Sequence, residues 1–417
     1  MNALRAAIQA SAAGESEAAL AAFWKEIDAA GTPLIEPVAE DGASMWVTFL
    51  WRDMDKRDAL NVGVSNLFIE SGEKTSPLSR LDSTDVWFRT YKMNAAARFT
   101  YRLTQPEGKA ADPTAAYREP LGGIVYEFFA DPRARVNMPD KVSYAEGPRA
   151  IAEPWLAVRD DVTPGRIDIL KADSKFLGNS RDVAVYTPAG YWRSGAAYPY
   201  AVIFDKEDTE KYVPTLFDNM IADGVIPPMV LVLVSYLDIA HRSAELPYNP
   251  NFGNFIAKEL VPLVRSRYHI SRDPKKAVIS GCSFGGIGST SVAYAHSDVF
   301  GNVLSQSGSY WWRPTPDGSG RSEREEYVKN LGWMPRKFVT AKKLPLRFYL
   351  DLGTEEGSGL TQANRQFRDI LQARGYSVTY REHVGTHCSV GARSMLPIGL
   401  ITLLGTEQGR RAIETTP

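Results

Sequence analysis

The chain has 417 residues, enough for two domains, and its 44% hydrophobic and 23% charged content excludes a disordered, collagenous or low-complexity polypeptide. Its 48 Lys and Arg balance 49 Asp and Glu to a formal charge of −1, so no global field draws it to nucleic acid or to anionic lipid. Two cysteines, Cys282 and Cys388, are too few for a disulfide framework or a four-thiolate metal site, and a reducing compartment fits them best. No apolar run of signal-peptide length opens the sequence. The longest apolar stretch, Ile226 to Val234, contains Pro227 and Pro228 and is far shorter than a bilayer span, so a soluble, cytoplasmic protein is expected.

Residues Ser16 to Ala30 place Ala19, Leu20, Phe23 and Ile27 at helical spacing, and Gly31 and Pro33 end the helix. The hydrophobic period then changes to two. Met45–Leu50, Ala59–Val64, Val86–Tyr91 and Arg98–Leu103 are short, rich in β-branched and aromatic residues, and separated by turn formers, which predicts an antiparallel β-sandwich. Gln105 to Val162 reads as trailing strands and a linker that packs on the next domain. The pattern changes near residue 165, giving expected domains of residues 1–165 and 166–417.

From Arg166 onward strands alternate with helices. Strand runs fall at Arg181–Tyr186, Tyr200–Phe204, Met229–Val234, Ala277–Ser280, Asn302–Ser305, Leu346–Leu350 and Ser377–Arg381, with helical stretches at Phe255–Arg267, Ile287–Ala295 and Leu360–Arg374. This alternation predicts an α/β domain with a doubly wound, mostly parallel sheet. The unbroken run Met229 to Val234 has the composition of a central strand buried on both faces.

The chemistry concentrates in this second domain. Ala277 to Gly286, AVISGCSFGG, is a strand followed by G-x-S-x-G and a helix, the context of a nucleophile elbow centred on Ser283. Gly281 and Gly285 leave room for the sharp turn, and the helix beyond aims N–H groups, beginning with Phe284, at a developing oxyanion. A serine hydroxyl needs a base, and five histidines are present: His241, His269, His296, His383 and His387. His383 ends the last strand, whereas His387 lies in the following loop, where hydrolases of this topology carry their base, and is preferred. Spacing four between these histidines would suit a metal only on a helix, which Gly385 interrupts. The acid belongs after the strand Leu346–Leu350, where Asp351, Glu355 and Glu356 qualify; Glu356 is preferred, with Glu355 its main rival.

These residues resemble the enterochelin (enterobactin) esterases, cytoplasmic hydrolases of a siderophore trilactone. The resemblance rests on GCSFGG at Gly281–Gly286, VLSQSGSYWW at Val303–Trp312 and LDIAHRSAELPYNPNF at Leu237–Phe252, together with WVTFLWR at Trp46–Arg52 and LDSTDVWFRTY at Leu81–Tyr91. It runs from about residue 12 to about residue 405. It implies an α/β-hydrolase behind an immunoglobulin-like N-terminal sandwich, with Ser283, Glu356 and His387 at the catalytic positions, no cofactor, and a catecholate siderophore, ferric or iron-free, as the small-molecule ester. Where the family reads Gly-Gly-His-Asp with a tryptophan shortly after, this chain has Gly385, Thr386, His387, Cys388 and then Ala392. Where the family reads Asp-Gly-Glu, it has Asp205, Lys206 and Glu207, so the second oxyanion amide would be that of Lys206.

By the same resemblance Arg242 lies beside the nucleophile, either in a structural pair with Glu245 or as a cation for an anionic ligand. Tyr310, Trp311 and Trp312 are positioned to offer flat faces to aromatic rings, and Arg313 to meet a ferric catecholate's charge. Cys282, just before the nucleophile, is expected to be a buried small hydrophobe, and a cytosolic potential disfavours its pairing with Cys388. Two other readings use the same residues: an esterase for an acylated sugar, a hydroxycinnamoyl ester or another cyclic depsipeptide, and a non-catalytic siderophore- or glycan-binding pseudohydrolase.

Overall fold

The period-two stretches and helical stretches of the sequence can be followed directly in a computed structural model, which describes residues 13–52, 61–64, 76–81, 84–104, 143–193, 195–314, 331–388 and 390–414. Among these, residues up to Ala150 form one compact unit and residues from Ile151 onward a second. The division therefore falls ahead of the pattern change near residue 165. The physical reason is that the linker is tied to the second unit: Asn219 Nδ2 donates to the carbonyls of Trp155 and Ala157, Trp155 Nε1 and Arg159 Nη1 donate to Asp223, and Glu153 accepts from Arg393.

In the first unit helix α1 (Ala13–Ala30) precedes strands β1 (Leu34–Val38), β2 (Asp41–Arg52), β3 (Asn61–Val64), β4 (Ser76–Pro77), β5 (Ser79–Arg80), β6 (Val86–Asn94), β7 (Arg98–Thr104) and β8 (Ser143–Glu146). They make two four-stranded antiparallel sheets, β1-β2-β6-β5 and β4-β3-β7-β8. Phe49 on β2 meets Phe99 and Tyr101 on β7 with ring centroids 6.1 and 4.9 Å apart, so the sheets face one another over an aromatic core. Trp24 and Ile27 of α1 close one end against Leu50, Leu81 and Val86, and the Trp24 indole N–H donates to Asp85. The expected runs Met45–Leu50, Val86–Tyr91 and Arg98–Leu103 lie within β2, β6 and β7. β1 was not expected, because Pro37 interrupts its pattern; a proline is tolerated there because β1 is an edge strand. Ala59, Leu60 and the stretch 105–142 lie outside the described residues.

The second unit is built on one eight-stranded sheet. Its strands are β9 (Arg166–Ser174), β10 (Asn179–Thr187), β11 (Tyr200–Phe204), β12 (Val230–Val234), β13 (Ala277–Cys282), β14 (Asn302–Gln306), β15 (Arg347–Gly353) and β16 (Ser377–His383), in the order β16-β15-β14-β13-β11-β12-β10-β9. β9 and β10 are antiparallel to their neighbours and the rest are parallel. Alternate residues feed two cores. Val202, Val232 and Ile279 face one; Ile203, Leu233 and Val278 face the other, against Met395, Leu396 and Ile401. Burial on both faces accounts for the continuous apolar strands. β9 escaped the sequence reading because it is an edge strand whose inward residues, Leu170 and Ala172, alternate with exposed polar ones.

Helices α2 (Ile239–Glu245), α3 (Phe284–Ala295), α4 (Ser358–Ala373) and α5 (Val390–Leu404) connect or follow these strands. No helix among the described residues is long and apolar enough to cross a membrane. The carboxyl ends of β11, β13, β15 and β16 open at one edge of the sheet, which is where open α/β sheets bind ligands.

Candidate active site

β13 delivers Ser283 into a turn at φ 61° and ψ −117°, a conformation that non-glycine residues rarely adopt. Ser283 N donates to Gln306 O, and its own carbonyl accepts from Gly286 N, Ile287 N and Ser309 N, so the strained residue is held from both sides. The glycines are required by close approach: a Cβ on Gly281 would stand 2.8 Å from the Gly285 backbone, and one on Gly286 would stand 2.6 Å from Ser305 Oγ.

Three side chains from three separate loops then meet. Ser283 Oγ lies 2.8 Å from His387 Nε2, and His387 Nδ1 lies 2.6 Å from Glu356 Oε2. The other oxygen, Glu356 Oε1, accepts from Gly353 N at 2.6 Å and from Ser307 Oγ at 2.5 Å. With the Glu356 side chain fully buried, these donors hold its charge and aim Oε2 at the imidazole. A carboxylate at Nδ1 fixes the proton there and leaves the Nε2 lone pair to accept the Ser283 O–H. Ser309 Oγ sits 3.3 Å from Ser283 Oγ.

Of the other acids considered, Asp351 is fully buried behind the site, bonded to Gln306 Nε2, and burial pushes its carboxyl well above the usual range. Glu355 accepts from Thr354 Oγ1 instead. His383 is buried at the end of β16, packed against Gly385 and Gly391, and desolvation depresses it to about 4.

The amides of Lys206 and Phe284 donate to no acceptor among the described residues. Asp205, at φ 60°, turns the chain so that Lys206 follows β11 beside the elbow; the Lys206 ammonium points elsewhere, onto Glu210 at 2.9 Å. This turn is clamped. Arg242 donates to both Asp205 oxygens at 2.7 Å and to Cys282 O at 3.3 Å, while Glu207 accepts from Ser235 Oγ and Tyr236 N. The expected pairing of Arg242 with Glu245 is therefore corrected: Glu245 binds Arg181 through two bonds of 2.8 and 2.9 Å, and Arg242 spends its charge on Asp205 rather than offering it to a ligand.

The aromatic run also divides. Tyr310 is wholly buried, its hydroxyl 2.8 Å from both Thr290 Oγ1 and Ser305 Oγ and its ring 4.1 Å from that of Phe367. Trp312 is buried in the same core. Neither presents a face to a ligand, because the chain leaving β14 turns inward at these positions. Trp311 and Arg313 are half-buried, and Trp311 packs 6.1 Å from Phe284, next to the nucleophile.

Cys282 is not a lone buried hydrophobe. It is bonded to Cys388, with Cα atoms 5.8 Å apart. The loop after β16 doubles back across the ends of β15 and β14 to carry His387 to Ser283, and so brings the next residue to the one before the nucleophile. Sequence reasoning had no signal for this pairing, nor for Ser307 as a donor to Glu356 or Asp205 as the partner of Arg242. All three follow from loops that meet only in the folded sheet.

The fold and the site define a carboxylic ester hydrolase of the α/β-hydrolase type. Residues 174–393 match the putative esterase family and residues 46–156 match the N-terminal domain of enterochelin esterase. The chain thus belongs to the enterochelin esterase family. The iron(III) enterobactin esterase of Dickeya dadantii is 27% identical over 408 residues, covering 92% of each chain. That of Escherichia coli is 29% identical over 380 residues, covering 86% of this chain and 90% of its own. The enterobactin esterase of Shigella flexneri, solved in the presence of enterobactin, matches with a TM-score of 0.72 at 26% identity, over 89% of this chain and 95% of that one.

Proposed function

We propose that this protein is a cytoplasmic serine esterase that opens the lactone ring of a catecholate siderophore, ferric enterobactin being the reference substrate, and so releases its iron. The observation that carries the reading is the hydrogen-bonded series Glu356–His387–Ser283 in a chain whose relatives over nearly the whole length act on iron(III) enterobactin. Ser283 Oγ gives its proton to His387 Nε2 and attacks an ester carbonyl. The Lys206 and Phe284 amides receive the oxyanion, and His387 returns the proton to the leaving alkoxide. Water, deprotonated by the same imidazole, then cleaves the acyl-enzyme. Glu356 keeps the imidazole in the required tautomer. Trp311, packed against Phe284, and Arg313, half-buried two residues further on, are assigned to the catechol rings and their charge; Tyr310, Trp312 and Arg242 are not.

The test is incubation of the purified protein with a catecholate trilactone, iron-free and ferric, beside Ser283→Ala, with products resolved by mass spectrometry. Linear fragments formed by the wild type alone are expected. Intact trilactone from a protein that a fluorophosphonate still labels at Ser283 would move the substrate to another ester, and absence of labelling would leave a pseudohydrolase.

A further inference from the structure

β13, which carries the nucleophile, and β16, which precedes the base, are not neighbours: β14 and β15 lie between them. At about 4.8 Å per strand the two strand ends are about 14 Å apart, so no ladder hydrogen bond sets the distance from Ser283 to His387. The covalent link is the bridge between Cys282 and Cys388, the residues immediately before the nucleophile and immediately after the base. Both sides of it are conformationally demanding. Ser283 has φ 61° and Cys388 has φ 48°, a left-handed position with a side chain that disfavours it. On the β13 side the elbow is anchored by Arg242 on Cys282 O and by Gln306 O on Ser283 N. On the β16 side the loop is held before His387 by Thr354 N on His383 O and Glu355 N on Gly385 O, and at the imidazole itself by Glu356 Oε2, so that beyond His387 the bridge is the link back to the elbow.

We propose that the Cys282–Cys388 disulfide is a positioning element for catalysis: it holds His387 at hydrogen-bond distance from Ser283, and kcat depends on whether the pair is oxidised. The proposal rests on the Ser283–His387 reading above, but not on the siderophore. A dithiol opens the bridge by supplying two electrons and two protons, becoming a cyclic disulfide while Cys282 and Cys388 become thiols. Freed of the bridge, the loop after β16 regains its own conformational preferences. The imidazole then spends less time in line with Ser283 Oγ, and a misplacement of about 1 Å costs up to about a hundredfold in rate.

The experiment uses the full chain and a small aryl ester, with active sites counted by fluorophosphonate burst. Oxidised wild type, wild type reduced with dithiothreitol, and the double variant Cys282→Ala/Cys388→Ala are compared. Reduction and the double variant are each expected to lower kcat per titrated site about 10- to 100-fold with KM within about twofold. Reoxidation restores the wild type, and the double variant ignores dithiothreitol. Thermal melts below which all three proteins stay folded set the assay temperature. Unchanged kcat per titrated site with a lowered melting temperature would overturn the proposal, since a bridge that merely staples the fold moves stability alone. Alkylation of both cysteines in the untreated native protein would overturn it as well. Full activity of Ser283→Ala on the aryl ester would remove the underlying triad reading, a result that neither cysteine measurement can mimic.

Discussion

Acidification from pH 7.5 to pH 5 is expected to cost this protein about 2 kcal/mol through one side chain, His383. Its imidazole is enclosed at the end of β16, with Gly385 and Gly391 against the ring. Desolvation lowers it from 6.5 to about 4, while the charge on Glu356 acts weakly in the opposite direction. A depressed pKa means that the unfolded chain takes up a proton that the folded chain refuses. The native state thus holds its full advantage above pH 6.5 and loses it as pH falls toward about 4. With these two values, proton linkage gives about 2 kcal/mol lost by pH 5 and about 3 kcal/mol by pH 4. The buried acids Asp205, Glu207 and Asp351 are shifted upward by desolvation and act with the opposite sign. They are common to both proteins when wild type is compared with His383→Leu, so they cancel in the difference. Urea unfolding of the two at pH 7.5 and pH 5 is the assay: wild type is expected to lose about 2 kcal/mol more than the variant. Equal losses, or an NMR titration placing the His383 ring near 6.5, would show that the ring is not desolvated in the native state.

Tyr310→Phe removes a hydroxyl that links Thr290 and Ser305 inside the core, and is expected to cost about 1–2 kcal/mol by chemical denaturation while kcat and KM stay unchanged; a raised KM for catechol esters would return Tyr310 to the ligand. Arg242→Ala leaves the Asp205 carboxylate buried without its bidentate partner. A loss of about 3–5 kcal/mol is expected, with a fall in kcat as the turn bearing the Lys206 amide relaxes; a variant as stable and active as the wild type would show that the clamp is dispensable.

The local sequence determined the elements and much of the site. Alternation and continuous apolar runs place β2, β6, β7 and the parallel strands, because a strand's burial is written into every second or every residue. Ala277–Gly286 announces the elbow on its own, since a strand, a glycine-flanked serine and a helix are consecutive in the chain. Edge strands β1 and β9 were not legible: half their residues face solvent, and Pro37 is harmless only where no neighbour needs its N–H. Only the tertiary structure sets Glu356, and neither Asp351 nor Glu355, against His387: the three acids lie within six positions and differ in where β15 leaves them relative to a loop from β16. It also sent Tyr310 and Trp312 into the core, gave Arg242 to Asp205 rather than Glu245, and joined Cys282 to Cys388. Each of these is a meeting of residues distant along the chain. Composition and period report how a residue sits in its own element, whereas the partner across a loop is fixed only when the sheet order brings the two loops together.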